Sequence, residues 1–136
     1  MIRSVLAVPA ALALVMGGVG TAAVTHAEPP PPCAYTLSPP QVVQVDSTSM
    51  VTATVAIGNC VAPPAGPSLN VACVQLQGAN SVMHCTQAHG TDAAQVFFAP
   101  YQPGATYVAT GRGCPSWIGQ SIAPLCQILG PETATL

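Results

Sequence analysis

Six cysteines constrain this chain of 136 residues more than any other feature of its sequence. An even number of cysteines in a chain bound for an oxidising compartment predicts three disulfides. Zinc sites use closely spaced pairs such as C-x-x-C, whereas neighbouring cysteines here are at least twelve positions apart. We therefore interpret all six as disulfide partners: Cys33, Cys60, Cys73, Cys85, Cys114 and Cys126.

Residues 1–27 have the pattern of a helical signal peptide. The sequence MIR supplies a positive start, and the apolar run SVLAVPAALALVM follows it. Small residues at Thr25 and Ala27 predict cleavage directly after the latter. An uncleaved membrane anchor is the alternative, but Pro9 and three glycines interrupt the roughly 20 apolar residues that a spanning helix needs. No membrane span is expected after cleavage.

The remaining chain is predicted to have a proline-rich spacer, residues 28–32, and one domain, residues 33–136. This part has a single cation, Arg112, against four acidic residues, and it has no lysine. Nucleic-acid binding and electrostatic docking on anionic lipid both need several cations, so these functions are excluded. A partner, whether an unknown protein or an envelope component, would be bound through apolar contacts and neutral hydrogen bonds. The expected location is secreted or extracytoplasmic.

The pattern of the domain is all-β, because short runs of alternating apolar and polar residues are separated by turn signals. The clearest strand is MVTATVAIGN, in which Val51, Ala53 and Val55 share one face and the threonines share the other. QVVQV precedes it, and residues 46–49 are predicted to form the turn between them. The adjacent prolines at positions 39 and 40 mark QVVQV as an edge strand, since proline cannot donate to a ladder.

A hairpin is predicted from SLNVACVQLQ and SVMHCTQ, which are separated by Gly78, Ala79 and Asn80. A three-residue loop of this kind suits a hairpin with Asn80 in the left-handed conformation. In that register Cys73 faces Cys85, at a separation suited to a disulfide.

The other two disulfides follow from the same reasoning, although six cysteines taken alone allow fifteen connectivities. Folding the chain about the turn at 46–49 brings Cys33 and Cys60 to the same end. Cys114 and Cys126 flank a connection centred on residue 120. The expected pairs are thus 33 with 60, 73 with 85, and 114 with 126.

The segment YQPGATYVATGRGC resembles the PG-x-T-Y corner of fibronectin type III and related immunoglobulin-like domains. The resemblance implies a seven-stranded β-sandwich in which the Tyr107 side chain hydrogen-bonds back to the preceding corner. The strands would be A (41–46), B (50–58), C (69–77), C′ (81–87), E (94–99), F (105–113) and G (125–134). In its Ala, Pro and Val content the chain also resembles small exported proteins of high-GC Gram-positive bacteria.

The segment HCTQAHGTD holds the best candidates for catalysis or metal binding. A nucleophilic cysteine requires a free thiolate, and Cys85 is predicted to be oxidised. His84, His89 and Asp92 lack a rigid ligand spacing such as H-E-x-x-H. We expect no catalytic residue, metal or cofactor, and we interpret His84 as a partly buried histidine at a sheet margin. Arg112 is expected to pair with a nearby acid or carbonyl, with binding of a carboxylate as the alternative.

The connection at residues 115–125 is the best candidate for binding. A loop that is held at both ends by Cys114 and Cys126 would present Trp117, Ile118 and Ile122, and tryptophan is enriched at binding hot spots. The alternative is that Trp117 folds back as a lid on the core. The sequence thus predicts a non-catalytic binding or envelope-associated module. An inhibitor of a secreted hydrolase, acting through this loop, is the second hypothesis.

Overall fold

The computed structural model describes residues 32–61, 65–78, 80–117 and 126–136, which contain strands and turns and no helix. The predicted signal peptide, most of the spacer, Ile118 and Ile122 lie outside these residues. The eight strands are β1 (Cys33–Leu37), β2 (Gln41–Val45), β3 (Thr48–Cys60), β4 (Ala65–Leu76), β5 (His84–His89), β6 (Ala94–Phe98), β7 (Thr106–Trp117) and β8 (Gln127–Thr135). Within the described ranges no helix is long and apolar enough to cross a membrane.

The strands form two antiparallel sheets that pack face to face. In the first sheet β3 is central, with β1 and β2 in succession along one edge and β6 along the other. The second sheet has the order β5-β4-β7-β8. The buried core between the sheets consists of Cys33, Tyr35, Val51, Ala53, Val55, Ala72, Val74, Ala94, Val96, Phe98, Tyr107, Ala109 and Leu129. The prediction of an all-β, two-layer domain is confirmed.

The structure has eight strands rather than the predicted seven, because an additional strand, β1, forms before the prolines, whereas the first predicted strand, 41–46, corresponds to β2. The prolines at positions 39 and 40 cannot donate ladder hydrogen bonds, so the pairing is interrupted there. Ser38 bridges the interruption: its N–H donates to the Thr54 carbonyl oxygen at 2.9 Å, and its Oγ accepts from the Thr54 N–H at 2.9 Å. One edge of β3 is thereby covered by two short strands.

The alternation predicted for β3 is confirmed. Val51, Ala53 and Val55 are fully buried in the core between the sheets. Thr52 lies on the opposite face and is nevertheless buried, and its hydroxyl is satisfied because it donates to the Val96 carbonyl oxygen of β6 at 2.8 Å. The turn from β2 to β3 forms within the predicted segment 46–49 but is shorter: it consists of Asp46 and Ser47, both at positive φ, and β3 begins at Thr48.

All three predicted disulfides are present. Cys73 and Cys85 are directly opposed in the β4–β5 ladder, as the hairpin register predicted, and Asn80 has the expected positive φ of 68°. The ladder ends at His84, so the connection is longer than the three residues predicted. Each disulfide joins neighbouring strands, or a strand and the residue before its neighbour, within one sheet. No disulfide links the two sheets among the described cysteines.

Because no cysteine is free, alkylation of the native protein without reductant is expected to add no label. Intact-mass measurement checks this result, and reduction before alkylation provides the control, in which six labels are expected. Peptide mapping then checks the pairs. Labelling of all six cysteines without reductant, or a map that joins distant partners such as the first and the fifth, would contradict the fold.

Small residues on the inner face of β7 allow the two sheets to approach closely. The inward positions after Tyr107 are Ala109, Gly111 and Gly113, all buried. A Cβ built on Gly111 would lie 2.5 Å from a methyl group of Val55 in β3, and one built on Gly113 would overlap the ring of Tyr35 in β1. The Tyr35 ring therefore occupies the space that a side chain at position 113 would take.

Candidate functional site

Tyr107 anchors the connection between β6 and β7. Its side chain is fully buried, its ring meets that of Phe98 edge to face at 5.7 Å, and its hydroxyl accepts a hydrogen bond from the Gln102 N–H at 2.8 Å. The contact that the sequence resemblance implied for Tyr107 is thus present. It fixes the start of β7, the strand that leads to the candidate binding connection.

The phenolic hydroxyls of Tyr107 and Tyr35 are expected to have opposite effects on stability. Tyr107→Phe should lower the free energy of unfolding by about 1–2 kcal/mol, because the Gln102 N–H loses its partner. Tyr35 is also buried, but its hydroxyl has no partner among the described residues, and burial raises its pKa. Tyr35→Phe should therefore leave stability unchanged or raise it by up to about 1 kcal/mol.

Denaturant unfolding with the disulfides intact measures both changes. Tyr101→Phe is the matched control, since Tyr101 is only partly buried at the margin of the core, and we expect it to change stability by less than about 0.5 kcal/mol. Destabilisation of equal size by the Tyr35 and Tyr107 substitutions would contradict the hydrogen bonding described here.

The predicted connection at 115–125 begins as strand rather than loop. β7 continues through Trp117, and Pro115, Ser116 and Trp117 lie opposite Pro67, Gly66 and Ala65 of β4. The backbone of Trp117 is therefore part of the second sheet. The rest of the predicted connection, with Ile118 and Ile122, lies outside the described residues.

A disulfide closes the base of this connection, between Cys114 on β7 and Cys126 just before β8. Cys114 is buried, and its sulfur accepts a hydrogen bond from Arg112 Nε at 3.4 Å. The ladder on both sides of Cys114 and the disulfide together hold one end of the segment in a defined position. Such a frame is typical of a binding loop on a rigid scaffold.

The histidines of HCTQAHGTD do not converge. His84 and His89 lie at opposite ends of β5, five residues apart, which places them on opposite faces and separates their backbones by roughly 16 Å. His84 is exposed and stacks on the Phe98 ring at 4.7 Å, so the prediction of partial burial is wrong. In the part of the chain that the structure describes, no group of three potential ligands is placed to hold a metal ion.

Asn70 is a structurally important residue that the sequence did not indicate. It is fully buried on β4, and its Nδ2 donates to the carbonyl oxygens of Gly90, at 3.3 Å, and Asp92, at 2.7 Å. These bonds fix the β5–β6 connection, in which Gly90 has a positive φ of 62°. The backbone around Asp92 is therefore held by a structural amide.

A groove of about 290 Å³ lies on the outer face of the second sheet. Its lining comes from the three strands β4, β7 and β8 and consists of Val71, Cys73, Thr110, Gly111, Arg112 and Ile128. Val71 and Ile128 lie directly opposite Arg112 on its two sides, so the single cation of the groove is flanked by two aliphatic residues. No sequence pattern indicates this groove directly, because its lining residues come from distant parts of the chain.

No protein-family model, curated protein or solved structure matches this chain. The functional interpretation therefore depends on the described geometry and on the chemistry of the residues. Two features stand out as candidate sites: the connection that the Cys114–Cys126 disulfide closes, and the groove around Arg112.

Proposed function

We propose that this protein is a secreted or envelope-associated, non-catalytic binding module with an immunoglobulin-like or fibronectin type III-like sandwich. The order of the strands supports the fold assignment. When β1 and β2 together are taken as strand A, the sheets have the orders A-B-E and C′-C-F-G. The buried Tyr107 near the start of strand F, whose hydroxyl accepts from the Gln102 N–H of the preceding corner, supports the assignment as well.

An extracytoplasmic location is supported by the disulfides. Three disulfides in a small domain are typical of proteins that fold in oxidising compartments. They fit the export signal that the sequence predicts at residues 1–27. The low charge of the chain fits a partner held by apolar contacts and neutral hydrogen bonds.

A non-catalytic role is supported by the state of the candidate nucleophile and base. Cys85 is bonded to Cys73, so it offers no thiolate. His84 stacks on Phe98, and His89 lies at the other end of the same strand. These three residues do not form the nucleophile and base pair that acyl transfer requires.

The observation that carries the binding proposal is the Cys114–Cys126 disulfide near the end of β7, a long strand that pairs with β4 through Trp117. It closes residues 115–125 into a short covalent loop that contains Trp117, Ile118 and Ile122. We propose these three residues as the contact surface for a protein or envelope component. A closed loop loses less entropy on binding than a free one, which lowers the cost of binding through these residues.

An affinity pull-down from envelope and culture fractions tests the proposal with three immobilised proteins: wild type, Trp117→Ala and Val82→Ala. Val82 is a suitable control because it is 70% exposed and lies in the distant β4–β5 connection. The expected result is one component that wild type and Val82→Ala retain and that Trp117→Ala loses. Equal retention by all three proteins, or by none, would refute the role of the loop.

An inhibitor of a secreted hydrolase is the second candidate, and the same disulfide favours it, since closed loops resist cleavage when an active site engages them. Inhibition assays on secreted proteases and glycosidases separate the two hypotheses. An inhibitor should slow one enzyme class in a manner that depends on Trp117, whereas a binding module should leave all of them unaffected. Cys114→Ser should weaken either activity and leave most of the sandwich folded.

A further inference from the structure

The groove on the outer face of the second sheet combines apolar walls with one cation. Val71 of β4 and Ile128 of β8 lie opposite Arg112 of β7, and Ile128 is 72% exposed. Thr110 lies two residues before Arg112 on the same face, directly opposite Cys73. The floor of the groove is therefore formed by Thr110 and the disulfide of Cys73, and its walls are formed by Val71 and Ile128.

Arg112 has N–H donors that its hydrogen bond to Cys114 does not use. Its Nε donates to Cys114 Sγ, which orients the guanidinium along β7. A guanidinium has five N–H donors, so four remain on the terminal nitrogens. No carboxylate in the described ranges forms an ion pair with them. Glu132, the acid on the neighbouring strand, is paired with Ala109 and so lies on the other face of the sheet.

The charge of the groove indicates the charge of its ligand. Arg112 is the only lysine or arginine after position 3, so a ligand with several anionic groups would find one partner and leave the others unpaired. A single carboxylate matches one planar guanidinium, which can bind both of its oxygens. The aliphatic walls and the disulfide then offer an apolar surface to the rest of the ligand.

We propose that this groove binds a small monocarboxylate with a short apolar tail. The carboxylate accepts hydrogen bonds from the terminal nitrogens of Arg112, and the tail lies over Thr110 and Cys73, between Val71 and Ile128. A volume of about 290 Å³ lies at the lower limit of small-molecule sites, so the ligand is a small molecule rather than a long lipid. None of the described residues that line this site belongs to the proposed binding loop at 115–125.

Titration of the labelled wild-type protein with octanoate, followed by amide chemical shifts in NMR spectra, tests the proposal. The expected result is saturable binding with shifts concentrated at Val71, Arg112 and Ile128. Octanol and octyltrimethylammonium, which have the same tail without the carboxylate, should bind at least about tenfold more weakly. Equal affinity for octanoate and octanol would overturn the proposal, as would shifts spread over both sheets.

Variants assign the binding to the groove. Arg112→Gln should weaken octanoate binding at least about tenfold, and Arg112→Lys, which keeps the charge without the planar fork, should weaken it less. Ile128→Ser should weaken it several-fold, while the matched control Val82→Ser, another exposed aliphatic residue, and Trp117→Ala should leave it unchanged. Unchanged affinity in folded Arg112→Gln protein would refute the site.

The pH dependence of wild-type binding provides a test that needs no variant. Octanoate binding should be lost as the pH falls through the pKa of the ligand's own carboxyl group, because the neutral acid cannot pair with the guanidinium. Binding that persists at equal strength below that pKa would show an apolar contact without carboxylate recognition and would overturn the proposal.

Discussion

Gly113→Ala is expected to lower the free energy of unfolding by about 3 kcal/mol, near the upper end of the range for overpacked cores. The new methyl group would overlap the ring of Tyr35, which crosses from the first sheet and lies against the β7 backbone. The ring cannot move away easily, because Tyr35 is buried and its N–H donates to Gln127 Oε1 at 3.1 Å. Guanidinium unfolding followed by circular dichroism, with the disulfides intact, measures the change.

Gly66→Ala is the matched control for this substitution. Gly66 is also a strand glycine in the second sheet, but a Cβ there would meet no atom within 4 Å, and its φ is not positive. Its replacement should change stability by less than about 0.5 kcal/mol. A double-mutant cycle with Tyr35→Ala adds a second check, since removal of the ring should make Gly113→Ala much less costly. Additive effects of the two substitutions would contradict the close approach described for β1 and β7.

The second large effect is expected when the Cys33–Cys60 disulfide is replaced by a pair of alanines. The bond closes a segment of 27 residues, and loss of such a constraint costs about 3.5 kcal/mol through the entropy of the unfolded chain. Cys33 is also fully buried, so its loss removes packing from the core. The bond fastens the start of β1 to the end of β3, where the Val61 N–H donates to the Pro32 carbonyl oxygen at 2.8 Å.

The Cys73–Cys85 disulfide supplies the comparison. It closes a segment of only 12 residues, and Cys85 is exposed on the outer face of the second sheet. Its replacement by alanines should cost less, about 3 kcal/mol or below. Denaturant unfolding of both double variants at one pH ranks them. A larger loss from the exposed disulfide would contradict the burial that distinguishes the two bonds.

The register of the disulfides was predictable because short hairpins leave few alternatives. Once the chain is predicted to reverse near Asn80, the strand period fixes which residues face each other, and Cys73 meets Cys85 even though the connection is longer than predicted. The same arithmetic placed Cys33 with Cys60 about the turn at Asp46. The turn residues and the strand period together determine which cysteines face each other, so these pairs are predictable without the arrangement of the other sheet.

The prolines misled the prediction of strand ends in two different ways. The pair at 39 and 40 predicts that the first strand begins after them, but Ser38 compensates for the missing donors and an additional strand, β1, forms before the prolines. Pro115 begins the predicted connection at 115–125, yet β7 continues through it. Pro115 lies opposite Pro67, next to a shift in the register. Because both residues lack an N–H, their pairing leaves neither with a backbone donor that needs an acceptor.

The groove around Arg112 was beyond prediction from sequence because its walls depend on the register of β8. A bulge at Gly130, which has a positive φ of 83°, shifts β8 relative to β7 between Ala109 and Gly111. This shift places Ile128 opposite Arg112. In a regular ladder extended from the C-terminal end of β8, Ile128 would not face Arg112, and the sequence pattern does not show where the extra residue is inserted.

The confinement of every described disulfide to one sheet has a mechanical consequence. Tension that pulls the two sheets apart is resisted by the apolar core and by single hydrogen bonds such as that from the Tyr35 N–H to Gln127 Oε1. None of the described disulfides crosses between the sheets, so none of them bears this load. The layers would slide or separate first, and segments of 27, 12 and 12 residues would stay closed against further extension. A domain of this kind yields early under force and then stops lengthening well short of its full contour, unless a reductant opens the closed segments.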